Sequence, residues 1–125
     1  MSKLKGRELD RIFAHYIATA LWSTTRGDSG NLDDLYSIED LDHTTAVEMK
    51  AEMLAFIKEN RHLLTSKDNQ KNEYFVHNFW LTRNGHGAGF WDRDYENGDA
   101  LTEACVKYGE LHLEVGDNGL IYKMG

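Results

Sequence analysis

Three features of the chain predict an α+β fold, with a helical first half packed on a small antiparallel sheet in the order α-α-β-β-α-β-β. Two segments of the first half carry apolar residues at helical spacing. A wholly polar stretch, Thr65 to Asn72, then divides the chain. Beyond it, aromatic and alternating segments are separated by turns rich in Gly, Asn and Asp, and strands joined in this way pair antiparallel.

In the first helix, Leu9, Ile12, Phe13, Tyr16, Ile17, Ala20 and Leu21 form one apolar face, with Glu8, Asp10 and Arg11 on the wet side. Thr24 to Gly30 breaks it. Ser37 has the form of an N-cap, stapled by Tyr36 and Leu41, and starts a short helical turn. The second helix takes Thr45 and Glu48 as a capping box and runs from about Thr44 to about His62, burying Ala46, Met49, Met53, Phe56, Ile57 and Leu64.

Glu73 to Thr82, rich in Tyr, Phe, Val and Trp, reads as a strand, and Phe90 to Asp92 as its antiparallel partner. Asp99 caps a short helix with Leu101, Ala104, Cys105 and Tyr108 on its apolar face, and Gly109 stops it. Leu111, Leu113 and Val115 alternate with polar residues as a strand. Asp117-Asn118-Gly119 turns the chain into a last strand, with Leu120, Tyr122 and Met124 on one face.

The 125 residues suffice for one domain, 1–125, and the 41% hydrophobic content belongs to a folded protein. No apolar run approaches the ~18 residues of a membrane span. The basic N-terminus lacks the apolar core of a secretory signal. The single cysteine, Cys105, forms no internal disulfide and suits a reducing compartment. These observations predict a cytoplasmic protein. A net charge of −7 disfavours direct nucleic-acid binding, which needs a basic surplus. It suits either solubility or an acidic face that meets a basic partner. The densest acidic stretch is Asp33, Asp34, Glu39, Asp40 and Asp42, interleaved with Leu35, Ile38 and Leu41.

The densest chemistry lies in Phe79 to Asp92, Phe-Trp-Leu-Thr-Arg-Asn-Gly-His-Gly-Ala-Gly-Phe-Trp-Asp. Gly85, Gly87 and Gly89 permit positive φ, so their backbone amides can converge on an anion. Arg83 and Arg93 offer charge-assisted contacts to phosphate or carboxylate. Trp80 and Trp91 offer faces for a planar base. Asn84 and His86 supply orientation. Together they predict a site for a nucleotide-like anionic ligand, held without turnover and without a cofactor.

Other readings stand beside this one. Asn84-Gly85 is a favoured hairpin turn, and Phe-Trp pairs are ordinary core material, so the segment also reads as a structural hairpin. Gly85-x-Gly87-x-Gly89 lacks the spacing of a dinucleotide fingerprint, and no kinase catalytic loop accompanies it. His77, His86, Asp92, Asp94 and His112 have no recognised metal spacing, and no metal is expected. A small hydrolase or lyase acting on a phosphorylated metabolite would use His86 as its proton carrier, with Asp92 or Asp94 beside it. Cys105, on an apolar helix face, reads as a buried small hydrophobe.

The run from Phe79 to Asp92 resembles one in small proteins of tailed bacteriophages and related prophages, where it recurs almost letter for letter. Leu101-Thr102-Glu103-Ala104 and Leu113-Glu114-Val115-Gly116-Asp117 are similar to that group too, so the resemblance covers Val76 to Tyr122. Those relatives commonly carry an aspartate before the Phe-Trp pair, where this chain has Asn78. The resemblance implies a viral origin, an infected bacterial cytoplasm, and a binding module that sequesters a host defence signal or inhibits a host protein. A homodimer is expected, paired or edged by the terminal strand Leu120 to Met124.

Overall fold

The computed structural model of the protein describes residues 6–25, 30–85, 89–92 and 95–124. Within them lie helices α1 (Gly6–Ser23), α2 (His43–Asn60), α3 (Asn72–Arg83) and α4 (Gly98–Tyr108), followed by strands β1 (His112–Val115) and β2 (Ile121–Met124). Short 3-10 turns cover Leu32–Asp34, Ile38–Asp40, Arg61–Leu63 and Phe90–Asp92. The fold is α+β: helices dominate, and β1 and β2 pair as one antiparallel hairpin. None of the described helices is long and apolar enough to cross a membrane.

α1 buries Ile12, Phe13, Tyr16, Ile17, Ala20 and Leu21, the face that periodicity predicts. Ser37 caps its 3-10 turn, accepting a hydrogen bond from the Glu39 amide. α2 starts at Asp42, whose carboxylate accepts from the Thr45 amide at 3.0 Å. The expected capping box of Thr45 and Glu48 is therefore displaced by one turn. Thr45 is buried, and its hydroxyl accepts a bond from the Lys123 amide instead.

Glu73 to Thr82 is helix, not strand, and Phe90–Asp92 is a 3-10 turn rather than its pairing partner. The composition favours a strand, but packing overrides that preference. Phe75, Val76, Phe79, Trp80 and Arg83 follow a helical spacing, and Asn78, Leu81 and Thr82 are buried with them. A helix enclosed on most of its circumference shows no polar face, so its period is hidden in the sequence. α3 packs along α1 and also touches α2 and α4. Its rings organise the core: Phe79 stacks on Phe56 at 4.0 Å and on Tyr16 at 5.7 Å, and Phe75 meets Phe90 edge-on at 5.4 Å.

α4 buries Leu101 and Cys105 and ends at Gly109, whose φ of +75° is the left-handed conformation that stops helices. Its N-cap is Asn97; Asp99 lies in the first turn and does not cap it. The hairpin register sets Val115 opposite Ile121 and His112 opposite Met124, around a turn in which Gly119 has φ +81°. That register buries Ile121 and leaves Met124 exposed, the reverse of the face expected for the last strand. A shift of one residue in a strand exchanges its two faces.

One glycine is fixed by close approach. Gly89 has φ +153°, and a Cβ there would lie 2.3 Å from the Thr82 hydroxyl, which accepts a hydrogen bond from the Phe90 amide at 3.0 Å. Gly89→Ala should destabilise the fold by about 1–3 kcal/mol through overpacking and backbone strain, measured as a lower urea midpoint. An unchanged midpoint would show that the 89–92 segment is held in some other way.

Candidate functional site

The expected ligand residues separate into groups that do different things. Arg83 is 4% exposed at the C-terminus of α3, where its guanidinium is enclosed. It pairs with the Glu52 carboxylate of α2 and donates to the Gly109 carbonyl at 2.8 Å and the Tyr108 carbonyl at 3.0 Å. A longer bond of 3.4 Å reaches the Tyr16 hydroxyl. Its cation also sits over the Phe79 and Tyr108 rings. This arginine is enclosed as a structural cation, with its donors turned to the protein. Arginine suits the place because its planar fork can serve several acceptors at once.

Trp80 is likewise buried, and its indole N–H donates to the Ser23 hydroxyl at 2.8 Å. With 2% of its surface exposed, it offers little area on which a base could stack. The Asn84 amide group donates to the Trp80 carbonyl at 3.0 Å and accepts from the Leu111 amide at 2.8 Å, tying the end of α3 to the chain just before β1. Gly85, at φ +70°, takes the left-handed conformation that lets the chain leave the helix. Gly89 packs on Thr82. His86, Gly87 and Arg93, with Asp94, lie outside the described residues.

Among the described residues, Trp91 is the expected ligand residue with a large side chain displayed, at 55% exposed. It borders a cleft of about 440 Å³, together with Phe90, Tyr95, Glu96, Asn97, Gly98, Asp99 and Ala100. The N-terminus of α4 opens here. The Asn97 side chain does not cap that helix and donates to the Leu63 carbonyl at 2.7 Å instead. The first-turn amides of Asp99 and Ala100 thus stand at the positive end of the helix dipole. Glu96 and Asp99 place carboxylates on the same rim, which tempers its appetite for anions.

The aromatic Tyr95 links this cleft to the core. It meets Phe90 edge-on at 5.0 Å, and its hydroxyl accepts from the Asn78 amide nitrogen at 3.1 Å. Asn78 is fully buried in α3, and its nitrogen also donates to the Tyr74 carbonyl, while its oxygen Oδ1 has no hydrogen-bond partner. Sequence reasoning missed Tyr95 to Ala100 as lining residues because they carry no motif. The Trp91-Asp92 dipeptide was the signal within reach.

A second groove, of about 280 Å³, is lined by Ser23, Thr24, Thr25, Trp80, Asn84, Leu111, His112 and Leu113. It runs beside β1, where the ends of α1 and α3 converge. A third feature is a ring cluster on α1 and α3, with Trp22 and Tyr74 stacked near His77 and His15 edge-on to it. The Thr19 hydroxyl lies 3.0 Å from the His15 carbonyl and 2.9 Å from Nδ1 of His77, joining the two helices. Nothing in the sequence joins residues so far apart. Among the described residues, no three His, Cys, Asp or Glu side chains gather where they could hold a metal ion.

Cys105 is fully buried, and burial pushes its thiol up to about 12 against the opposing pull of Arg83. It is thus the small core hydrophobe that its place in the apolar pattern implies. Burial also raises the Tyr16 hydroxyl well above its ordinary value, although Arg83 draws it the other way. Both groups stay neutral and serve packing.

The assignment of Arg83 has a direct test. Arg83→Met should cost about 3 kcal/mol in urea unfolding, because it strands the Tyr108 and Gly109 carbonyls and leaves Glu52 without its partner. Glu52→Gln, at a partly exposed position, should cost less, about 1 kcal/mol. Full stability in Arg83→Met, with loss of ligand binding alone, would return the residue to the ligand site.

Comparison of the chain with protein-family models, with curated proteins and with solved structures finds no match.

Proposed function

We propose that the protein is a small accessory binding module of a bacteriophage, acting in the host cytoplasm, that holds a nucleotide-like ligand without converting it. The observation that carries this reading is the exposed Trp91 beside the cleft at the uncapped start of α4. A planar base stacks on the indole, and stacking of this kind is worth ~1–3 kcal/mol per base. Phosphate oxygens take the first-turn amides of Asp99 and Ala100. The glycine segment leads into this cleft through Gly89 and Phe90. Glu96 and Asp99 favour a ligand of low charge over a triphosphate. Sequestration of a host defence signal follows as the biological role, on the strength of the phage resemblance.

The test is thermal shift against mononucleotides, cyclic dinucleotides and ADP-ribose derivatives, for the wild type and Trp91→Ala. A ligand at 100 times its dissociation constant should stabilise the wild type by ~2.7 kcal/mol, and Trp91→Ala should lose most of that shift. No shift with any compound, or one equal in both proteins, would sink the proposal.

A second reading draws on the acidic stretch. Asp34, Asp40 and Asp42 each accept a backbone amide three residues away, so much of the acidity there builds turns. Between these carboxylates, however, Leu35 is 64% exposed and Ile38 36% exposed, while Leu41 is buried. Exposed aliphatics ringed by acids suit a basic, partly apolar surface of a host protein. Capture from bacterial lysate should be lost with Leu35→Ser and Ile38→Ser and weakened by salt. Retention by both variants in high salt would contradict it.

A further inference from the structure

The two edges of the β1–β2 hairpin are finished differently. The Gly116 amide donates to the Leu120 carbonyl, which fixes the alternation of bonds along the hairpin. His112 and Glu114 face β2 with their backbone groups, while Leu113 and Val115 point theirs outward, as do Ile121 and Lys123 on β2. The outward groups of β2 are met by the chain entering α2: Ile121 accepts from the Asp42 amide, and Lys123 donates to the Thr45 hydroxyl. Leu41 forms a parallel bridge to Ile121 there. On β1 the Asn84 side chain receives the Leu111 amide. No bond within the described residues reaches the outward N–H and C=O of Leu113 and Val115. Among the described residues the edge without bonds is that of β1, not of the terminal strand, and the 280 Å³ groove lies beside its Leu111 to Leu113 end.

We propose that this edge pairs with the same edge of a second copy of the chain, antiparallel and centred on Leu113. The side-chain sequence selects both the occupant and the register. With Leu113 on the twofold axis, His112 lies opposite Glu114 of the partner subunit, and Glu114 opposite the partner's His112. Leu111 then faces Val115 of the partner subunit, apolar against apolar. A slip in one direction sets Glu110 against the partner's Glu114, and a slip in the other sets Glu114 against the partner's Glu114. Like charges directly opposite are destabilising, so both slips are disfavoured. His112 and Glu114 are exposed and project from the face opposite the core. They fall at a pair without mutual backbone bonds, where cross-strand side chains approach most closely.

The backbone accounting agrees with this register. Leu113 exchanges N–H and C=O bonds with its twin, and the Val115 N–H meets the Leu111 carbonyl of the partner subunit. The Leu111 N–H stays with Asn84. A twofold isologous contact of this kind closes on itself and leaves no edge to propagate.

Sedimentation equilibrium of the whole chain from micromolar to several hundred micromolar tests the proposal. The mass should rise from 14.4 kDa toward twice that value. Glu114→Lys should move the dimer midpoint to at least about tenfold higher concentration. The double swap His112→Glu with Glu114→Lys, which sets opposite charges across the axis, should bring it back. A mass constant at one chain would overturn the proposal, as would a dimer indifferent to Glu114→Lys or a swap that fails to restore it.

Discussion

One guanidinium joins the parts of this molecule that the chain order keeps apart. Arg83 ends α3, pairs with Glu52 of α2, bonds the carbonyls that close α4, and reaches Tyr16 of α1. Of those acceptors the Tyr16 hydroxyl is fully buried, while Glu52 and Gly109 keep contact with solvent. A cation held this way stabilises mainly by what its absence would expose. The stacked rings of Tyr16, Phe79 and Phe56 can close around the end of α3 because the charge beside them is fully answered.

That centre also positions the two concave surfaces. From the end of α3, Asn84 holds the chain entering β1, which shapes the groove along the open edge. Thr82 on the same helical turn holds the Phe90 amide, which brings Trp91 to the mouth of its cleft. The glycine-rich segment therefore departs from the buried hub and returns to it. Its described ends serve mainly as scaffold, and the large side chain displayed among the described residues is Trp91.

The sequence made α1, α2, α4 and the place of the final hairpin legible, because each is half buried, although the buried face of the last strand was read in reverse. α3 was illegible for the opposite reason: buried almost all round, with β-favouring aromatics, it has neither alternation nor a wet face. The same burial explains the site. Arg83 and Trp80 have the chemistry of ligand residues, and only tertiary position reveals that Glu52 and Ser23 already occupy them. Composition cannot distinguish an arginine waiting for phosphate from one already satisfied. Trp91 was legible as an aromatic, and its neighbours from Tyr95 to Ala100 were not, because a helix start without a capping side chain leaves no signature.

Asn78 has a consequence for protonation. Its amide nitrogen is committed to two oxygens, the Tyr74 carbonyl and the Tyr95 hydroxyl, and its own oxygen meets no donor. An aspartate of the same shape would turn an acceptor toward the Tyr74 carbonyl and bury a charge that only the Tyr95 hydroxyl, among the partners of Asn78, could meet with a proton. Burial would favour its neutral acid, so the link from core to cleft would depend on that proton. Asparagine carries its hydrogens permanently. In this chain the Asn78 side chain makes that link without a titrating proton of its own, at the expense of one orphaned oxygen.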